Sequence, residues 1–222
     1  MKFTAILSSF TLVTAMSACS SSSSGNQTGV PIPETDVLVT ELVSREGQLR
    51  ATIGEYELDG QDIPTSGTAS YSGLIALHGD SVDVGADGSR PNAIVGDLKI
   101  SIGFSGDGSA AGTIDNFYYV HSSVPLTENV TVPAVEGALA ITDGIVVRED
   151  SYLYTGNDSQ LIANVEGEID FPDNFSAETS GGVNSVGGLL YGKFYENGID
   201  GKFAGSISGN SELTGVYVAV AE

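Results

Sequence analysis

Leu98-Lys99-Ile100-Ser101-Ile102-Gly103-Phe104 sets its large apolar side chains on even numbers, with Lys99, Ser101 and Gly103 between them. A period of two is the pleat of a β-strand with one face buried. The same pattern recurs along the chain. Ala69, Tyr71, Gly73, Ile75 and Leu77 alternate with Ser70 and Ser72, and Gly201, Phe203, Gly205 and Ile207 alternate with Lys202, Ala204 and Ser206. At the C-terminal end Leu213, Gly215, Tyr217 and Ala219 are set against Thr214, Val216, Val218 and Val220. Further strands are expected over Leu49 to Leu58, Ala111 to Val120, Glu136 to Val147, Gln160 to Phe171 and Val186 to Tyr195.

Turn signals separate these runs: Asp87-Gly88, Gly106-Asp107-Gly108, Asp143-Gly144, Glu196-Asn197-Gly198 and Gly209-Asn210. No stretch sustains a helical period beyond a short turn near Asp36 to Val43. Regular strands at this spacing make a sandwich or a closed barrel. The 29 glycines, many of them inside strands, favour a small barrel, where tight bending and close backbone approach require them. The fold expected is all-β: a single antiparallel up-and-down β-barrel of eight or nine strands, behind a flexible lipidated tether. A membrane-embedded barrel fits poorly, because Gly, Ser and Ala stand where a lipid-facing belt needs Leu and aromatics.

The first eighteen residues carry one basic residue, Lys2, then an apolar stretch from Phe3 to Ala15 and small residues before Cys19, the layout of a secretory signal. Met16-Ser17-Ala18-Cys19 looks like a bacterial lipobox. That resemblance implies that the thiol of Cys19, the only cysteine, receives a diacylglyceryl group and that the new amine is acylated. Several acyl chains give stable anchoring where one gives little. Ser20 to Ser24, followed by Gly, Asn, Thr and Pro, form a polar tether that cannot bury enough surface to fold. Ser20 after the cysteine resembles Gram-negative lipoproteins sorted to the outer membrane. The expected organisation is signal peptide 1–18, lipidated tether 19–34, leader strand or strands packing on the barrel over 35–66, and barrel 67–222.

Eight basic residues against 29 acidic give a formal net charge of −21. Such a chain repels phosphate backbones, so nucleic acid is not expected as a partner. The surplus suits either a solvated surface in a salty or extracellular medium, or a face for a basic partner or divalent cations. With no cysteine after Cys19, the domain has neither disulfides nor thiol chemistry.

Catalytic patterns are weak. His78 and His121 are the only histidines and are read as solvent-edge residues at two strand ends. No Gly-x-Ser-x-Gly elbow surrounds a serine. Asp80, Asp83 and Asp87 lie in an acidic Gly-rich loop without the one-three-five spacing and closing glutamate of a helix-loop-helix calcium site, and an exposed hairpin loop is favoured. Glu166, Glu168 and Asp170 alternate with apolar residues, as the wet face of one strand would, and not as acids opposed across a cleft. Tyr118, Tyr119, Tyr152, Tyr154 and Tyr195 belong to core or rim, or furnish interface area. No catalytic, cofactor-binding or metal-binding residue is assigned; Cys19 is the one site residue, for lipidation, and no cofactor is called for.

The C-terminal half carries a family likeness. Gly187-Gly188-Leu189-Leu190-Tyr191-Gly192-Lys193-Phe194-Tyr195, a turn at Glu196-Asn197-Gly198, and Ile199-Asp200-Gly201-Lys202-Phe203-Ala204-Gly205 resemble the hairpin of the transferrin-binding protein B type β-barrel. Leu213-Thr214-Gly215-Val216-Tyr217-Val218-Ala219 is similar to that family's terminal strand, and Gly67 to Gly73 to its first barrel strand. Gly96 to Ile100 and Gly112 to Phe117 resemble the following hairpin. The likeness covers about Gly67 to Ala219. The chain departs from the family in having room for one barrel instead of two lobes, and in ending on acidic Glu222. Its transferrin-gripping loops have no counterpart that can be placed here, so no binding residue carries over. The resemblance implies a surface-displayed lipoprotein that is not an enzyme. It would bind a host or environmental protein, or an iron- or haem-bearing ligand, for an outer-membrane uptake receptor. A lipocalin-like barrel holding a small molecule, and a structural or adhesive envelope protein, are the competing functions.

Overall fold

The alternating segments form strands that close on themselves. The computed structural model describes residues 36–79, 91–148, 160–176, 179, 181–209 and 211–222. Cys19, the tether, the Asp80–Asp87 loop, Tyr152 and Tyr154 lie outside them. In chain order the elements are β1 (Val37–Leu38), α1 (Val39–Thr52), β2 (Thr68–Gly79), β3 (Ala93–Gly103), β4 (Ser109–Val120), β5 (Thr131–Val132), β6 (Ala134–Val135), β7 (Gly137–Val146), β8 (Leu161–Phe171), β9 (Gly182–Tyr195), β10 (Gly198–Ile207) and β11 (Ser211–Ala221).

β2, β3, β4, β7, β8, β9, β10 and β11 pair antiparallel in that order, and β11 returns to β2 over Leu213↔Gly79 to Ala221↔Tyr71. The result is a closed eight-stranded up-and-down barrel, with β6 as an extra short strand on β4. Register shifts in three strand pairings bend the wall at two places. One faces Asn116 (φ 52°) across β3 and β4; the other holds Asp143 (φ 50°) in β7. Asn and Asp are among the few side chains that tolerate left-handed backbone, and bulges use it. Asp143-Gly144, expected as a turn, is thus a bulge within a strand.

Inward positions are filled by rings set against glycines. Phe203 Cζ would lie 2.7 Å from a Cβ at Gly188 and 2.6 Å from one at Gly205. Phe117 likewise occupies the side-chain space of Gly96 and Gly137. These rings, with Phe171, Phe194 and Tyr217, are at most 2% exposed. Full burial of a phenylalanine contributes about 1.5–3 kcal/mol. Phe175 packs against Phe171 with ring centroids 4.8 Å apart and planes tilted by 43°, and Ile63, 1% exposed, belongs to the same core from the segment that precedes β2. The lumen is a solid core.

The leader differs from expectation. The strand expected over Leu49 to Leu58 is the last turn of α1 and an irregular stretch whose one ladder contact with the sheet, among the described residues, is the isolated Glu57↔Tyr195 bridge. Strong helix formers (Glu41, Leu42, Arg45, Glu46, Gln48, Leu49, Arg50, Ala51) override the weak local alternation. The regular structure of the leader is therefore mainly helix, with β1 as its only strand among the described residues. The 14 residues of α1, about 21 Å at 1.5 Å per residue, run along the outside of the wall.

Candidate functional site

The outward-facing positions of the wall are mostly polar or small, as in Ser70, Ser72, Lys99, Ser101, Thr113, Glu166, Glu168 and Lys202. Beneath α1 they are not. Leu74 and Ala76 of β2, Val216 and Val218 of β11, and Ala93 and Val95 of β3 form an apolar floor. Val218 is 1% exposed although it points away from the barrel core, because α1 covers it.

The helix covers this floor without filling it. Its first turn is seated by Val39 and Leu42, which cluster with Ala93, Val120 and Val132, and Ile53 is buried just after its end. Between these anchors the underside carries Val43, Glu46 and Arg50. Two charged side chains cannot sink into an aliphatic floor without losing hydration, so the helix spans the gap and a groove of about 300 Å³ remains. Ion pairs fix the span: Arg45 to Asp97 of β3 at 2.7 Å, and Arg50 to Asp200 of β10 at 3.4 Å. Arg50 also meets Glu46 at 2.9 Å; partial burial alone would lower its pKa, but the two carboxylates outweigh that and raise it.

His78 lines the groove. Burial pushes its pKa down, only partly offset by a hydrogen bond with the Asn92 carbonyl, so the ring is neutral at pH 7. Nδ1 lies 3.2 Å from that carbonyl oxygen. A carbonyl can only accept, so Nδ1 carries the proton and Nε2 remains an acceptor. Thr214 stands opposite His78 across the β11–β2 ladder, and its buried Oγ1 has no hydrogen-bond partner among the described residues. Asn92 anchors this end: its Nδ2 donates to the carbonyls of Asn174 (2.6 Å) and Phe175 (3.1 Å), and its Oδ1 accepts from Ser122 N–H at 2.8 Å.

The other singled-out residues do not converge on this groove. His121 Nδ1 lies 2.7 Å from Ser123 Oγ and also accepts the Ser123 N–H at 3.1 Å, which closes a local turn. Glu166 and Glu168 are exposed on the outer face of β8, as their alternation predicts, with Asp170 partly covered beside them. Tyr119 donates to the Asn174 carbonyl at 3.3 Å and its Oδ1 at 3.1 Å. Among the described residues no group of three or more His, Cys, Asp or Glu is placed to hold a metal ion. No described helix is long and apolar enough to cross a membrane.

Sequence reasoning missed the groove, although its signal is present. Val216, Val218 and Val220 make β11 apolar on both faces, which in an antiparallel sheet says that something covers the outside. Compared with known proteins, the chain matches no family model, no curated protein and no solved structure.

Proposed function

We propose that this chain is a lipid-anchored, non-enzymatic binding module at the outer membrane, displayed on the cell surface by acyl chains on Cys19. The transferrin-binding protein B-like barrel is the class it resembles, and an outer-membrane uptake receptor is the partner such a module would serve. The observation that carries the proposal is the solid lumen: with Phe117, Phe171, Phe194, Phe203 and Tyr217 packed inside, recognition falls to the outer surface. A lipocalin-like use of the interior is disfavoured for the same reason.

The test is made in the native cell. Labelled palmitate should enter the full chain and not a Cys19→Ser variant, and protease added to intact cells should strip the barrel from the wild type. Failure to incorporate palmitate, or a barrel protected until the envelope is broken, overturns the proposal.

A further inference from the structure

We propose that the groove between α1 and the outer wall is a binding site for an uncharged amphiphile, a single alkyl chain whose terminal hydroxyl donates to His78 Nε2. This rests on the reading of the chain as a binding module and names a ligand class for its outer surface.

Size comes first. At roughly 30 Å³ for a water-sized group, 300 Å³ holds about ten such groups. The floor along β2 from Leu74 to His78 extends roughly 13 Å at about 3.4 Å per residue, a length that one extended chain of that size covers. The lining is aliphatic: Leu42, Val43, Leu74, Ala76, Val216 and Val218. Pockets of this volume, apolar with a few placed polar groups, are the usual form of a small-molecule site.

Charge then narrows the ligand. Among the described residues the one cation lining the groove, Arg50, already has two carboxylate partners in Glu46 and Asp200. An anionic head group would have to displace one of them, against a chain of net charge −21. A cationic head group would find Glu46 and Asp200 already paired and would have to leave water for an aliphatic trough.

Hydrogen bonding selects the head group. At the His78 end the neutral imidazole presents an acceptor where the apolar trough ends, and a hydroxyl answers it by donating.

The probe is 1-octanol, with octanoate as its charged counterpart, titrated into the full chain carrying Cys19→Ser and followed by two-dimensional NMR. Saturable one-to-one shifts should be confined to α1, Leu74 to His78 and Val216 to Val218, with octanoate at least tenfold weaker. Ala76→Phe, which fills the trough, should weaken octanol at least tenfold. His78→Phe, which keeps the bulk and removes the acceptor, should weaken it roughly fivefold. Val183→Phe, at an exposed position on β9, should leave it unchanged. If Ala76→Phe fails to fold, Val216→Asp at the groove lip takes its place. Non-saturating or scattered shifts, a folded groove variant that binds as the wild type does, or octanoate binding as tightly as octanol overturns the proposal. Because Cys19 is absent from this protein, these outcomes are independent of the palmitate and protease results.

Discussion

The ring of Tyr217 occupies the volume that a side chain at Gly192 would need: a Cβ built on Gly192 overlaps the tyrosine hydroxyl. The same ring lies over Gly201, where a Cβ would come within 2.7 Å of Cε1. Tyr217 is 1% exposed and its hydroxyl has no hydrogen-bond partner among the described residues. Burial first, and the negative charge of Asp200 second, push its pKa far up. Shape, not hydrogen bonding, therefore keeps this tyrosine in place. Gly192→Ala should destabilise by about 1–3 kcal/mol through overpacking. Tyr217→Phe removes an unsatisfied buried hydroxyl and should be neutral or stabilising by about 1 kcal/mol. Chemical denaturation of both variants decides; a strongly destabilised Tyr217→Phe would mean that the hydroxyl has a partner.

Gln160 ties the leader to the barrel mouth. Its Nε2 donates to the Leu58 carbonyl at 2.5 Å and its Oε1 accepts the Phe194 N–H at 2.8 Å. Removing it with Gln160→Ala strands two main-chain groups, each costing about 1–3 kcal/mol when buried. Gln160→Glu keeps the acceptor and loses the donor. The expected order of thermal midpoints is wild type, then Gln160→Glu, then Gln160→Ala.

His78 gives stability a pH dependence of defined sign. Its folded pKa lies below the ordinary value of 6.5, mainly through desolvation. The folded protein therefore binds fewer protons than the unfolded chain near that pH. The contribution is fully present above 6.5 and is lost as pH falls through the folded pKa. Between pH 7 and 5 the wild type should lose more unfolding free energy than His78→Phe, measured in urea. Parallel curves would show that His78 does not titrate in a buried site.

The barrel was legible in the sequence because its signal is local. Leu98 to Phe104, Ala69 to Leu77 and Gln160 to Phe171 alternate cleanly, and in β2, β3 and β8 the expected faces are the buried ones. The helix was not legible because its inward stripe is broken. Val39, Leu42, Leu49 and Ile53 fall on one face, but Glu46 sits in the middle of it. Leu49, Ala51 and Ile53 happen to alternate as well, which imitates a strand. The same Glu46 that hides the helical period props α1 off the wall, so the misread segment and the overlooked groove share one cause. His78 looked like an edge residue since only the fold brings α1 and Pro91 over it.

α1 should be the least stable part of the described structure. Only Val39 and Leu42 are buried along its length. Its ion pairs are surface pairs, with Arg45 and Arg50 side chains 46% and 41% exposed, and such pairs contribute about 0–1 kcal/mol each. Gly47 sits mid-helix where an added Cβ would meet nothing within 4 Å, so it costs about 1 kcal/mol relative to alanine with no packing in return. By contrast, the amides of β2 and β11 lie inside a closed ladder. In hydrogen exchange α1 should open at free energies well below those of β2 and β11. The double variant Arg45→Ala with Arg50→Ala should speed exchange along α1 by roughly tenfold, at about 0–1 kcal/mol per pair, while the thermal midpoint of the barrel barely moves. Gly47→Ala should slow exchange along α1 by roughly fivefold, about 1 kcal/mol. Exchange of α1 at the same rate as the barrel strands would mean that helix and barrel unfold as one unit, and that the groove opens only when the whole domain does.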